Sequence, residues 1–182
     1  MIETTLFFGT WRLVSAEFKL SDGSKRFPLG KDVVGRLNYD AAGNMSAQLY
    51  RADRQNFIHD DQTAAGANEI KDAFISSVCY FGRYTLDVEN KTIIHFVEGS
   101  LFPNWIGGKQ LRYFHFEDEK LFLSTSPFLM NGVMQTGLLV WEKVDNNCKM
   151  KNEMNAPYTL SSELHDGVGL GNGQYCTVTL SR

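Results

Sequence analysis

Three polar side chains set in apolar runs carry the chemistry this sequence offers. They are His95 in Ile93-Ile94-His95-Phe96-Val97-Glu98, and Gln110 and Arg112 in Gln110-Leu111-Arg112-Tyr113-Phe114-His115-Phe116. Alternate side chains of a strand share a face, so Ile93 and Val97 go with His95, and Phe114 and Phe116 go with Gln110 and Arg112. If those faces line an interior, a histidine, an amide and a guanidinium lie among apolar walls. That is costly unless they are hydrogen-bonded or meet a ligand. The opposite parity turns Ile94, Phe96, Leu111, Tyr113 and His115 inward and leaves Arg112 in water, and the pattern alone does not choose.

An inward set supports three kinds of function. For binding, Trp11, Tyr80, Tyr84, Trp105 and Phe114 supply apolar contact, while Gln110 and Arg112 hold a carboxylate, enol or carbonyl by charge-assisted bonds. For catalysis, His95 moves a proton, Arg112 stabilises a developing enolate, and exclusion of water protects a reactive intermediate. For structure alone, His95, Gln110 and Arg112 form a closed buried network. Asn104 either orients a ligand or braces its own loop. There is no Gly-x-Ser-x-Gly elbow, His-Glu-x-x-His or dinucleotide fingerprint, so hydrolase, zinc-protease and nicotinamide chemistry lack a basis and no cofactor is expected. His59-Asp60-Asp61 sits in a polar loop and reads as solvated, and His165-Asp166 is weaker still, so no metal site is assigned.

The elements that must position these residues are strands. Gly9-Thr10-Trp11 opens the first, to Phe18: the glycine allows a tight entry, and the tryptophan either plugs one end of a small barrel or sits as a core residue on an edge strand. Ser21-Asp22-Gly23-Ser24 closes it with a strong hairpin pair. Strands follow over Val33 to Asp40, Asn44 to Arg51, Val78 to Val88, Lys91 to Glu98, Lys109 to Glu117, Lys120 to Ser126 and Met134 to Val144. Their turns include Ala41-Ala42-Gly43, Glu89-Asn90 and Asp118-Glu119. Parity points Tyr80 and Tyr84 inward on one strand and Met45, Ala47 and Leu49 inward on another. From Asp61 to Ser77, Ile70, Ala73, Phe74 and Ser77 recur at helical spacing, with Thr63 as cap. A short helix therefore joins the third and fourth strands, closing one barrel end or acting as a lid. The connection Gly99 to Gly108, with Phe102, Trp105 and Ile106, is too apolar for a simple exposed hairpin and folds over a mouth or packs outside.

Eight antiparallel strands in up-and-down order make a barrel that can hold one small ligand. The 182 residues carry 18 basic and 21 acidic side chains, a net charge of −3. That acidity argues against nucleic acid. No apolar run reaches the roughly 20 residues of a membrane helix. The first residues lack a signal-peptide pattern, which places the chain in the cytoplasm. Cys79, Cys148 and Cys176 have no pairing or zinc spacing and are expected as free thiols.

These runs, together with Gly35-Arg36-Leu37-Asn38-Tyr39, Gly82-Arg83-Tyr84, Ser100-Leu101-Phe102-Pro103-Asn104-Trp105 and Leu121-Phe122-Leu123-Ser124-Thr125-Ser126-Pro127, resemble the bacterial and fungal lipocalin-like domain family. The spacing of His95, Ser100, Pro103-Asn104-Trp105, Gln110 and Arg112 is its most specific part. The resemblance implies an all-β, eight-stranded antiparallel up-and-down lipocalin-like barrel with an interior cavity, and favours the parity that faces His95, Gln110 and Arg112 inward. It implies binding of a hydrophobic small molecule with a polar head. The alternative is a cofactor-independent isomerase or cyclase acting on a natural-product intermediate, polyketide or terpenoid.

The barrel is assigned to residues 1–145 and a C-terminal extension to 146–182. Gly167 to Gly173 is glycine-rich but lacks the Walker lysine and a flanking strand and helix, so it is no phosphate loop. Gln174 to Ser181 either adds a strand, to a barrel edge or to a neighbouring subunit in a homodimer, or stays disordered.

Overall fold

The structure, a computed structural model, describes residues 4–130 and 132–144. The expectations placed on 145–182, among them the added strand, Cys148, Cys176 and His165, lie outside the described residues.

Turn chemistry and alternation dictate the strands. β1 (Gly9–Leu20) ends where Gly23 adopts a φ of +85° and the Asp22 carboxylate accepts the Ser24 N–H at 2.8 Å. That turn sends the chain back as the two-residue β2 (Lys25–Arg26) before β3 (Val33–Tyr39). A three-residue loop leads to β4 (Asn44–Arg51), with Gly43 at φ +84° and the Asp40 carboxylate holding the Asn44 N–H at 2.8 Å. The resulting register sets Tyr39 opposite Met45. β5 (Ser77–Asp87), β6 (Thr92–Ser100), β7 (Lys109–Glu117), β8 (Lys120–Thr125), β9 (Phe128–Met130) and β10 (Val133–Lys143) complete the sheet.

β1 pairs with both β3 and β10, so the strands β1-β3-β4-β5-β6-β7-β8-β10 form a closed antiparallel ring of eight. Closure leaves no unpaired edge in the ring. β2 and β9 are short hairpin returns laid on β1 and β10.

The helix α1 spans Ala67–Ile75 and therefore lies between the fourth and fifth strands, not the third and fourth, because the return strand β2 intervenes. Its cap also differs. Thr63 belongs to a separate 3-10 turn, Gln62–Ala64, capped by Asp61. The start of α1 is held instead by Glu69, whose carboxylate accepts the N–H groups of Gly66 and Ile58, each at 2.8 Å. No residue of α1 is fully buried and Ile70 and Ile75 are each 54% exposed, so the helix rests on the rim.

A 3-10 turn, Thr4–Phe7, closes the other end. Phe7 is fully buried, with its ring edge-on to Phe114 and Phe116 at centroid distances of 4.7 and 5.0 Å. The Trp11 indole N–H donates to the Phe7 carbonyl at 2.9 Å. Each such ring pair adds about 0.5–1.5 kcal/mol beyond the area it buries. Of the two readings of Trp11, the structure gives the plug: it is buried at this end against Phe7. Met45, Ala47 and Leu49 are all buried on the inner face, as their parity required.

Candidate functional site

Strand register builds the site. Tyr84 lies opposite His95 and His95 opposite Gln110, while Ile93 lies opposite Arg112 and Arg112 opposite Thr125. Opposed residues of antiparallel strands share a face. Ile93, His95 and Val97 are 0, 1 and 3% exposed whereas Tyr113 is 46% exposed, so the His95 face is the interior. Gln110, Arg112, Phe114 and Phe116 therefore look inward, and the opposite parity is excluded.

His95 is held at both ring nitrogens. Nε2 lies 2.7 Å from the Tyr39 hydroxyl and Nδ1 lies 3.0 Å from the Tyr80 hydroxyl. Burial, reinforced by the Arg112 cation, pushes the imidazole down to about 3, so it is neutral at physiological pH. Burial also raises the Tyr39 phenol well above its usual range, with Tyr80 adding and Arg112 opposing.

Arg112 forms a second, separate group. Its Nη1 donates to the Leu111 backbone carbonyl at 2.8 Å, and Nη1 and Nη2 reach the Gln110 side-chain oxygen Oε1 only at 3.4 Å. A guanidinium has five N–H donors, so some remain uncommitted among the described residues. His95 has no hydrogen bond to Gln110 or Arg112, and the closed three-way network of the structural reading does not form. Both Gln110 and Arg112 are half-buried, within reach of solvent.

The remaining candidates divide. Tyr80 is buried, and its ring meets Trp105 edge-on at 5.8 Å. Tyr84 is half-buried, tilts on Tyr39 at 4.7 Å and donates its hydroxyl to the Asp40 carbonyl at 2.8 Å. Trp11 and Phe114 belong to the closed end with Phe7, so the structure gives them packing partners there. Asn104 stands apart, exposed on the 3-10 turn Pro103–Trp105 and with no side-chain hydrogen bond among the described residues.

Two residues escaped sequence reasoning. Tyr39 was legible: Met45 is inward and the hairpin register opposes it to Tyr39, so Tyr39 had to be inward too. Gln135 is 3% exposed, with neither amide atom hydrogen-bonded among the described residues, and nothing in its surrounding sequence marks it. It lines an open pocket of about 570 Å³ at the rim with Lys25, Arg26, Phe27 and Lys31. A smaller pocket of about 180 Å³ lies between the end of β4 and α1.

The sequence profile of a lipocalin-like domain matches residues 8–144. A protein of Aspergillus oryzae (strain ATCC 42149 / RIB 40), named 4'-hydroxy-3'-methoxypropiophenone carrier protein, is 35% identical over 107 residues, covering 55% of this chain and 96% of that protein. A solved structure described as the REP1-NXSQ fatty acid transporter is 13% identical, with a TM-score of 0.34, over 76% of this chain and 96% of that one. Among the described residues no helix is long and apolar enough to cross a membrane.

Proposed function

The chain belongs to the lipocalin-like domain family, and from that premise we propose that it binds and carries a small hydrophobic molecule bearing an oxygen function. The single observation that carries this reading is the inward placement of Arg112, with uncommitted donors, among the aromatic walls of a closed barrel. An apolar enclosure with a few convergent polar groups is what a small-molecule site requires. Carriage by the Aspergillus relative of an aryl ketone, 4'-hydroxy-3'-methoxypropiophenone, makes that compound class the first to test here.

The state of His95 supports holding over turnover. A general base needs a free nitrogen near the substrate and a pKa close to working pH. Both nitrogens of His95 are engaged by tyrosines, and its pKa lies near 3. The imidazole therefore organises two hydroxyls and is poorly placed to relay a proton to a substrate.

Titration calorimetry with 4'-hydroxy-3'-methoxypropiophenone, followed by mass spectrometry of the released compound, tests the reading. We expect saturable binding and recovery of the intact ketone. Recovery of a rearranged product would transfer the site to catalysis, and absence of binding across a panel of aryl ketones would overturn carriage of this class.

A further inference from the structure

The Tyr39, His95 and Tyr80 cluster contains one more polar hydrogen than it can use. Each tyrosine brings one O–H and a neutral imidazole brings one N–H, making three donors for two contacts. One nitrogen must accept from a tyrosine, and the other must donate to the second tyrosine. Whichever phenol accepts from the ring keeps its own O–H free.

Two independent observations say which phenol that is. Hydrogen bonds given by hydroxyls run shorter than those given by N–H groups, with modes near 2.7–2.8 Å and 2.9–3.0 Å. The Tyr39 contact is 2.7 Å and the Tyr80 contact is 3.0 Å, which matches Tyr39 O–H donating to Nε2 and Nδ1–H donating to Tyr80. Surroundings give the same answer. Tyr39 is 2% exposed, with its ring 6.5 Å from that of Phe7 at the closed end, so a free O–H there is shut off from solvent. Tyr80 is 7% exposed and faces the Trp105 loop, whose neighbours Phe102 and Ile106 are exposed at the opposite end. Leaving a buried donor unmet is the more costly arrangement.

We infer that His95 is fixed as its Nδ1–H tautomer, leaving the Tyr80 hydroxyl as a donor presented to the acceptor oxygen of a bound ligand. Tyr80 then sets selectivity: it favours a ketone or phenolate over a hydrocarbon of the same shape. This deepens the carriage reading and rests on it for the ligand, while the tautomer stands on geometry alone. The role also exceeds the apolar contact expected of Tyr80 from its strand parity.

The test has two arms. Long-range nitrogen–proton correlation spectra of the ¹⁵N-labelled protein, with His95 assigned by loss of its signals in His95→Gln, report the tautomer directly. Affinities for propiophenone and n-propylbenzene, a pair in which a carbonyl replaces a methylene, are compared between the wild type and Tyr80→Phe. We expect the Nδ1–H form, and a preference for the ketone that falls by about tenfold in Tyr80→Phe, the part supplied by Arg112 remaining. An Nε2–H tautomer, or an undiminished preference in Tyr80→Phe, overturns the inference. If neither compound binds the wild type, aryl-ketone carriage fails and the tautomer decides alone: Nδ1–H sustains the donor assignment and Nε2–H ends it. A ratio of affinities is used because a general loss of stability in the variant would lower both values together.

Discussion

A neutral histidine clamped between two phenols has a thermodynamic signature. The folded-state pKa of His95, about 3, lies below the ordinary histidine value near 6.5. The unfolded chain therefore takes up the proton first as pH falls. The stability linked to this group is complete above about pH 6.5 and is lost progressively between there and pH 3, with a slope of at most about 1.4 kcal/mol per pH unit. Urea midpoints of the wild type and His95→Gln, measured from pH 7.5 down to 4.5, should converge as the pH drops. A stability gap that stays constant over that range would mean His95 titrates normally in the folded protein. The polar residues His95, Gln110 and Arg112 stood out in the sequence because they interrupt apolar runs. What the sequence did not disclose is that they separate into two groups. Hydrogen bonding to Tyr39 depends on β3 closing round to face β6, a pairing across the barrel that no local pattern encodes.

At the scale of elements, the β5–β6 ladder shows how backbone irregularity positions the site. The register slips between Phe81 and Gly82, so Tyr80 opposes Ser100 while Tyr84 opposes His95. The extra residue is Glu98 on β6, and it brings Ser100 to the face of Tyr80 although Ser100 lies five positions beyond His95. Gly82 makes the slip feasible: a Cβ there would overlap the Phe96 carbonyl oxygen on the neighbouring strand, where only backbone could give way. Gly82→Ala should therefore destabilise the fold by about 1–3 kcal/mol, the usual range for overpacking. It should also weaken aryl-ketone binding by disturbing Tyr80. Chemical denaturation and calorimetry of the variant check both parts, and wild-type values in either would disprove the coupling. Strand existence was legible from alternation and turn residues, because both are local. The return strand β2 was not, since two polar residues, Lys25 and Arg26, carry no apolar period. Missing it also misnumbered the position of α1.

The whole molecule separates its tasks by end. One end is filled by Phe7, Trp11, Phe114 and Phe116, whose rings satisfy one another, while Arg112 and Gln110 stay half-buried with little to bind inside the protein. Stability and recognition should then respond to different substitutions. Truncating Phe7 to Ala removes a fully buried ring and should cost about 3–5 kcal/mol. Because Phe7 belongs to the floor, affinity for an aryl ketone should change by no more than about threefold, well under 1 kcal/mol. Arg112→Met should do the reverse. Replacing a partly buried, weakly bonded cation by an apolar side chain of similar length is often neutral for folding, yet it removes the charged donors from the site and should cost about tenfold or more in affinity. Denaturation midpoints and ligand affinities for the two variants form a crossed comparison. If Phe7→Ala lost affinity as severely as Arg112→Met, the ligand would reach the closed end, and Trp11 and Phe114 would return as contact residues; if Arg112→Met bound normally, the guanidinium would have no part in recognition.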